Sequence, residues 1–215
     1  MMIDWFARYT RVDIITTKSI ELVPNPGNRE PVITEPRAGC YGNAVGLRNP
    51  GVDAALAELT ALRRLWQERP PESLPLVNVS LSASSPADFA GLAARLSPVA
   101  DLLELNLSCP HAARGYGAAI GSDPEAIREA TAATVQAASV PVLAKLTPNV
   151  ADIAGMARAA MEAGADGIAA INTVGPTVYV EPASGLPVLT NPPDGRGGMS
   201  GAWVYPRAIE AIQSI

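Results

Sequence analysis

The segment from Asn106 to His111 gathers several side chains that can do chemistry. Asn106 closes an apolar run, and it is followed closely by Ser108, Cys109 and His111, the only histidine of the sequence. Burying such a cluster without partners costs several kcal/mol, so a purely structural role does not explain it. A thiol on a loop can move a proton, and an amide at a strand end can bind a planar polar ligand. We interpret this segment as an active-site loop.

Near-continuous apolar runs predict the strands that would position this loop. Runs of this kind are typical of strands covered on both faces, as in a parallel sheet. The predicted strands are Asp13–Thr17, Leu76–Leu81, Leu102–Asn106, Val140–Leu146 and Gly167–Asn172.

Helix-start signals lie between these strands. A capping residue followed by proline predicts helices beginning at Asn49-Pro50, Ser85-Pro86 and Asp123-Pro124. Apolar spacing predicts a further helix over Val150–Gly164, with Asn149 as N-cap and Gly164 as C-cap. The repeated βα units indicate an α/β fold, either a (β/α)8 barrel or a doubly wound sheet.

Two stretches depart from the βα pattern. Val23–Asn43 is rich in Pro, Gly and Asn and has no helical period. Pro176–Pro193 alternates apolar and polar residues around a turn at Ala183–Gly185, which predicts a β-hairpin. We expect both stretches to lie over one mouth of the sheet. The glycine-rich segment 195–201 could let backbone amides approach a ligand closely.

Polar residues recur at or near the C-terminal ends of the predicted strands, the edge where parallel α/β folds bind ligands. They are Thr17, Lys18, Ser19, Asn78, Asn106, Lys145, Asn172 and Thr173. Lys145 lies within a buried strand and needs an anionic partner. Two interpretations are open: a salt bridge to a core carboxylate such as Glu104, or a contact to an electron-rich cofactor atom.

Composition excludes several classes of function. With a net charge of −5 and no dense run of Lys and Arg, nucleic-acid binding is not expected. No apolar stretch approaches the roughly 18 residues of a membrane helix, and the N-terminus lacks a signal-peptide core, which predicts a cytoplasmic protein. Cys40 and Cys109 make neither a disulfide framework nor, with one histidine, a zinc site. Redox chemistry would need an organic cofactor, and no GxGxxG motif supports a nicotinamide site.

Seven segments, in this order and over nearly the whole chain, resemble dihydroorotate dehydrogenases of the cysteine-containing class 1. They are TKS at 17–19, NAVGLRNPG at 43–51, NLSCP at 106–110, KLTPN at 145–149, AGADG at 163–167, INT at 171–173 and GGMSG at 197–201. The resemblance implies an FMN-containing (β/α)8 (TIM) barrel that oxidises (S)-dihydroorotate to orotate in pyrimidine biosynthesis.

The resemblance also implies roles for single residues. Cys109 would be the base that removes the C5 proton while hydride leaves C6 for flavin N5, and Lys145 would lie at the flavin N1/O2 edge. The implied substrate contacts are Lys18, Asn43, Gly46, Leu47, Asn106, His111, Asn172 and Thr173. The implied FMN contacts are Thr17, Lys18, Asn78, Asn106, Lys145, Ile171, Gly198, Ser200 and Gly201.

His111 departs from the family pattern, which often has asparagine after Ser-Cys-Pro. The form with histidine is similar to archaeal-type dihydroorotate dehydrogenases and also to the pyrimidine-reducing domain of dihydropyrimidine dehydrogenase. This likeness leaves open a subunit acting on uracil or thymine. A non-catalytic barrel fragment is a second alternative, which the incomplete length of the barrel leaves open.

Length is the second departure. A (β/α)8 barrel needs about 250 residues, and this chain has 215. We expect one domain over 1–215, in which the first strand and the last two βα units are missing or reduced. The FMN phosphate binds after those last strands in the family, so the isolated chain is predicted to bind FMN weakly. The resemblance leaves fumarate, a quinone or an FAD/iron–sulfur partner subunit as electron acceptor, and a homo-oligomer is expected.

Overall fold

The computed structural model describes residues 2–107, 120–191 and 194–215. Its strands are β1 Ile14–Thr16, β2 Ile33–Arg37, β3 Cys40–Asn43, β4 Leu76–Leu81, β5 Leu102–Asn106, β6 Val142–Lys145, β7 Gly167–Ala169, β8 Val174–Val178 and β9 Arg196–Gly201. Its α-helices are α1 Met2–Tyr9, α2 Val52–Trp66, α3 Pro86–Leu96, α4 Pro124–Ala137, α5 Ile153–Glu162 and α6 Tyr205–Ser214.

A parallel sheet carries the main core, and its strand order decides between the two predicted folds. The order is β1-β4-β5-β6-β7, so the sheet follows the chain without reversal. A doubly wound sheet reverses its order at a switch point, whereas a barrel does not. The described residues thus contain five consecutive parallel strands of a (β/α)8-type barrel, and all five predicted strands are confirmed. β4 and β5 match their predicted bounds, while β7 ends at Ala169 rather than Asn172.

Alternate residues of the parallel strands face different surroundings. Val77, Val79, Leu103 and Leu105 are fully buried and pack with the apolar residues of α2, α3 and α4. Asn78, Ser80, Glu104 and Asn106 occupy the intervening positions of the same strands. Because successive side chains of a strand point to opposite faces, the sheet has one apolar face under the helices and one polar face. Asn78, Ser80 and Glu104 are buried as well, so the prediction of strands covered on both faces is confirmed for β4 and β5, although one covered face is polar.

Two predicted helix starts are confirmed, and in both the predicted capping side chain accepts a hydrogen bond from an amide of the first turn. Ser85 Oγ accepts a hydrogen bond from the Asp88 amide at 3.1 Å, and Asp123 Oδ1 accepts from the Glu125 amide at 2.9 Å. The predicted start at Asn49-Pro50 is wrong, because α2 begins at Val52. The Asn49 side chain instead accepts from the Gly51 amide at 2.9 Å, within the loop that precedes α2.

The predicted helix over Val150–Gly164 is present but shorter. Asp152 rather than Asn149 caps α5, since its Oδ1 accepts from the Gly155 amide at 2.8 Å. The Asn149 side chain binds the next loop, donating to the Thr173 carbonyl and accepting from the Gly175 amide, both at 3.0 Å. Gly164 follows α5 with a φ of 100°, as expected of a glycine that ends a helix.

The two irregular stretches meet in a second, antiparallel sheet of order β2-β3-β9-β8. The predicted hairpin is reduced to a single antiparallel bridge between Val180 and Pro187. The segment interpreted as a glycine-rich ligand loop is the strand β9, which pairs with β3 and β8. A small core of Ala44, Tyr179 and Leu189 lies against this sheet. The sheet thereby holds Asn43 and the residues that follow it beside the parallel strands.

Within the described ranges, no helix has both the length and the apolar character needed to cross a membrane. Cys40, at the start of β3, is buried and free.

Candidate active site

A polar cleft of about 250 Å³ lies at the C-terminal ends of β1, β5 and β6 and beside the end of β3. Nine residues predicted as site residues line it: Thr17, Lys18, Asn43, Gly46, Leu47, Asn106, Lys145, Asn172 and Thr173. They come from separate parts of the sequence, and the parallel topology brings them together. The volume is near the lower end of ligand pockets, about 300–1,000 Å³, which suits a small ring or one edge of a larger one.

Other predicted residues lie elsewhere. Asn78, Ile171, Gly198, Ser200 and Gly201 are not part of the cleft lining. Asn78 is buried beneath it, and the three residues of the glycine-rich segment belong to β9. Cys109 and His111 are outside the described residues.

Five further lining residues are not among the predicted contacts: Thr16, Ser19, Val45, Ser80 and Glu104. A signal for two of them was present in the sequence. Ser80 and Glu104 each stand two positions from a predicted site residue on the same strand, so they share its face. Strand alternation, applied to β4 and β5, would have found both.

Lys145 confirms the first of the two interpretations that the sequence left open, the salt bridge, while the cofactor contact stays a prediction. Its Nζ lies 3.5 Å from Glu104 Oε1, and the same side chain lines the cleft. Glu104 Oε2 accepts from Asn78 Nδ2 at 3.2 Å, and that amide nitrogen also donates to Thr16 Oγ1 at 3.1 Å. This network joins β1, β4, β5 and β6 beneath the cleft.

A second set of hydrogen bonds crosses the top of the strands. Asn106 Nδ2 donates to Ser19 Oγ at 3.0 Å, and Ser19 Oγ is 2.9 Å from Ser80 Oγ. Asn172 Nδ2 donates to Asn106 Oδ1 at 3.4 Å. Bonds between side chains of different strands fix the amides of Asn106 and Asn172 in orientation, which a site for a planar polar ligand requires.

One wall of the cleft has constrained backbone. Gly46 and Leu47 have φ values of 74° and 55°, and Leu47 is the one non-glycine residue with positive φ among those described. A Cβ on Gly46 would lie 2.9 Å from the backbone nitrogen of Asn28, so the loop also requires glycine for space. Asn49 Nδ2 holds the Leu47 carbonyl at 2.8 Å. Strained positions of this kind are concentrated at ligand sites.

The lining of the cleft is rich in hydrogen-bonding groups that an organic ligand can use. No group of three or more His, Cys, Asp or Glu residues in the described part of the chain could hold a metal. The cleft combines two ammonium groups, three amides, one carboxylate and several hydroxyls. Such donors and acceptors match a flat ring that carries carbonyl and N–H groups together with a negative charge.

The sequence profile of one protein family, dihydroorotate dehydrogenase, matches residues 3–215. The chain belongs to this family. Among its similar relatives is the protein named dihydroorotate dehydrogenase B (NAD(+)), catalytic subunit, from Methanothermobacter thermautotrophicus, which is 41% identical over 94% of this chain. The protein of the same name from Pyrococcus abyssi is 42% identical over 94% of this chain. The chain spans 62% of the length of each of these two curated relatives.

Two solved structures of a dihydroorotate dehydrogenase from Eimeria tenella share the fold. The ligand-free structure aligns with a TM-score of 0.73 and 20% identity, over 92% of this chain and 60% of that one. The structure in complex with ferulenol aligns with a TM-score of 0.74 and 19% identity, over 94% of this chain and 59% of that one. At this identity the likeness supports the architecture, and it agrees with the partial (β/α)8 barrel of the parallel sheet.

Proposed function

We propose that the chain carries the substrate cleft of an FMN-dependent enzyme that oxidises (S)-dihydroorotate to orotate in pyrimidine biosynthesis. One observation carries the proposal: nine predicted contact residues from distant parts of the sequence line a single cleft at the C-terminal strand edge. Family membership gives the reaction class, and the family is flavin-dependent in general. That the flavin is FMN, and that it binds here, belong to the proposal.

The described residues suit a pyrimidine carboxylate. The fixed amides of Asn106 and Asn172 can pair with ring carbonyl and N–H groups, and Lys18 can meet the carboxylate. Cys109, three positions after Asn106 in the sequence, is assigned as the base that takes the C5 proton. FMN would supply the hydride acceptor for C6. Thr17, Asn106 and Lys145 are the lining residues assigned to hold its ring.

A partner subunit is the second part of the proposal. The similar relatives are named catalytic subunits and carry NAD(+) in their names. We propose that this chain likewise works beside an electron-transfer subunit carrying FAD and an iron–sulfur cluster. A cytoplasmic homo-oligomer stays a prediction.

Anaerobic bleaching of the flavin tests the reaction. The chain is mixed with excess FMN, because weak FMN binding is predicted, and dihydroorotate or dihydrouracil is added. Bleaching by dihydroorotate alone is the expected result, and Cys109→Ala should slow it at least ~100-fold, as loss of a general base does. Bleaching by dihydrouracil alone would support the dihydropyrimidine alternative. No bleaching with either substrate, in a preparation shown to contain bound FMN, would contradict the proposal.

A further inference from the structure

One wall of the cleft, residues 45–47, rests on the segment 21–28, which is not part of the described lining of the cleft. The Asn28 backbone amide donates to the Val45 carbonyl at 3.0 Å, and Asn28 Nδ2 donates to the Ala44 carbonyl at 2.7 Å. These bonds fix the first half of the wall. The second half, where the backbone is left-handed, is held by a different set of contacts.

Glu21 and Asn49 make that second set. Asn49 is 6% exposed, and its side-chain Oδ1 accepts from the backbone amides of Gly51 at 2.9 Å and Glu21 at 3.2 Å. Asn49 Nδ2 donates to the Leu47 carbonyl and to Glu21 Oε2, both at 2.8 Å. Glu21 Oε2 also accepts from Asn25 Nδ2 at 2.8 Å. Glu21 therefore holds the Asn49 amide group at both its oxygen and its nitrogen.

The half-buried Glu21 carboxylate gives these contacts their strength. A hydrogen bond to an ionised acceptor is roughly twice as strong as a bond between neutral groups. The Asn49 amide nitrogen thus has a strong bond to the carboxylate, which fixes its orientation, and it uses its second N–H for the Leu47 carbonyl.

Glu21 also directly follows a segment that is fixed at the other side of the cleft. The Ile20 amide donates to the Ser80 carbonyl at 2.8 Å, which anchors the main chain on β4. Ser19 Oγ accepts from Asn106 Nδ2 at 3.0 Å. The Glu21 side chain therefore connects this anchored segment to the wall.

We propose that Glu21 is a positioning residue for the cleft. It orients the Asn49 amide, which keeps Leu47 at its φ of 55° and so sets the position of the wall relative to Asn106. A left-handed leucine is unfavourable by itself, so neighbouring groups must enforce it. The inference rests on the proposed function in one respect, the use of orotate as the ligand that reports the position of the wall.

Hydrogen exchange tests the hold on the wall without any ligand. Mass spectrometry follows the peptide 43–51 at short labelling times, when local opening dominates, with the helix α4 as internal reference. Glu21→Ala should speed exchange in 43–51 at least about tenfold, because opening no longer breaks the bonds between Glu21 and Asn49. Exchange in α4 should stay unchanged. Glu21→Gln should stay near the parent, since its side-chain oxygen can still accept from Asn49.

Glu35→Ala is the matched control. Glu35 Oε1 accepts from the Gly39 amide at 2.8 Å, so this carboxylate also holds backbone, but in a turn outside the described lining of the cleft. The substitution should change neither the exchange of 43–51 nor the affinity for orotate.

Calorimetric titration of orotate, with FMN in excess, tests the effect on the site. Glu21→Ala should lower orotate affinity at least about fivefold, because binding must then order the wall. Glu21→Gln should restore it to within about twofold of the parent, since the hydrogen bonds return. In a Leu47→Gly background the loss caused by Glu21→Ala should be smaller, because glycine adopts a positive φ without strain.

The double variant Asn49→Asp/Glu21→Gln isolates the hold on Leu47. The introduced glutamine can donate to the introduced aspartate, and the aspartate still accepts from the Gly51 amide, so only the Leu47 carbonyl loses its donor. We expect a folded protein whose orotate affinity is lowered as in Glu21→Ala. If circular dichroism shows that Glu21→Ala does not fold, this variant decides.

Parental orotate affinity in folded Glu21→Ala, or in the double variant, would overturn the proposal. Unchanged exchange of 43–51 in Glu21→Ala, or equal acceleration in α4, would overturn it as well. Failure of the parent chain to bind orotate at all would instead count against the proposed function. The exchange result would stand in that case, so the two failures can be told apart.

Discussion

At the scale of single residues, the shape of the cleft depends on a glycine, Gly198, because a larger residue would not fit there. A Cβ on Gly198 would lie 2.2 Å from Thr173 Oγ1, and Gly198 pairs with Asn43 across β3 and β9. Thr173 and Asn43 both line the cleft. Gly198 thus contributes to the site through the space it leaves, although it does not line the cleft itself.

Gly198→Ala should therefore displace Thr173 and weaken orotate binding. We expect a loss of stability of about 1–3 kcal/mol from overpacking, measured by chemical denaturation, together with weaker binding in a titration. Gly91→Ala on α3 is the control, since its added Cβ would meet nothing within 4 Å. It should stabilise the chain by roughly 0.5–1 kcal/mol, the ordinary gain in a helix. Equal effects of the two substitutions would contradict the steric argument.

Tyr179 provides a pH-dependent prediction. Burial raises the pKa of Tyr179 to about 12 from its ordinary value of 10.0, and its Oη has no hydrogen-bond partner among the described residues. Because the folded pKa is raised, the contribution of Tyr179 to the free energy of unfolding is constant below pH 10 and falls as pH rises from 10 towards 12. Tyr179→Phe should remove the part of the loss of stability above pH 10 that Tyr179 causes, and it should cost little stability at neutral pH. Thermal unfolding over the pH series measures both effects, and identical profiles for parent and variant would refute the assignment.

At the scale of elements, two carboxylates bind the strands at the end opposite the cleft. Asp101 Oδ2 accepts from the Val77 amide and from Arg63 Nη2, both at 2.7 Å. Asp166 Oδ2 accepts from the Val142 amide at 2.8 Å. In each case a residue just before one strand holds the backbone of its neighbour, so these carboxylates serve the fold rather than the site.

Asp101→Ala should destabilise the chain by about 1–3 kcal/mol, because it leaves the amide of the buried Val77 and the guanidinium of Arg63 without their partner. Asp53→Ala is the control, since Asp53 is largely exposed and its ion pair with Arg95 lies at the surface. It should change stability by less than about 1 kcal/mol. Urea denaturation compares the two. A drop in orotate affinity for Asp101→Ala, measured where the variant is fully folded, would contradict the assignment of Asp101 to the fold rather than to the site.

The elements also show why the sequence predicted one sheet and missed much of the other. β4 and β5 were found at their full bounds because short runs with an apolar residue at least at every second position, lying between predicted helices, leave little choice. β9 contains three glycines, and β3 has four residues of which one is glycine. Neither strand therefore shows the alternation of apolar and polar residues that would have identified it. Their pairing depends on contacts between distant segments, which local patterns do not contain. Glu104 was missed as a lining residue for a different reason, since the alternation of β5 that places it on the same face as Asn106 was present in the sequence.

At the scale of the whole molecule, the described parallel sheet has two outer strands. β1 pairs only with β4, and β7 only with β6, within the described residues. Beside β1, the helix α1 exposes Trp5 at 53% and Tyr9 at 70%. Unpaired strand edges next to exposed apolar side chains promote association.

We therefore expect the isolated chain to associate reversibly, with a sedimentation coefficient that rises with protein concentration. Lys substitutions at both Trp5 and Tyr9 should reduce the association, because they charge the surface beside β1. Tyr205→Lys on α6 is the control, as an exposed aromatic away from that edge. A single monomeric species across the concentration series would contradict the expectation.

The placement of both lysines at the cleft has a consequence for proteolysis. A protease that cleaves only after lysine has two target bonds in the whole chain, Lys18–Ser19 and Lys145–Leu146. Both follow strand ends that line the cleft, so cleavage requires this region to open locally. The rate of fragmentation by such an enzyme would therefore report how often the ligand site unfolds, and a bound ligand would protect the entire chain by holding that one place closed.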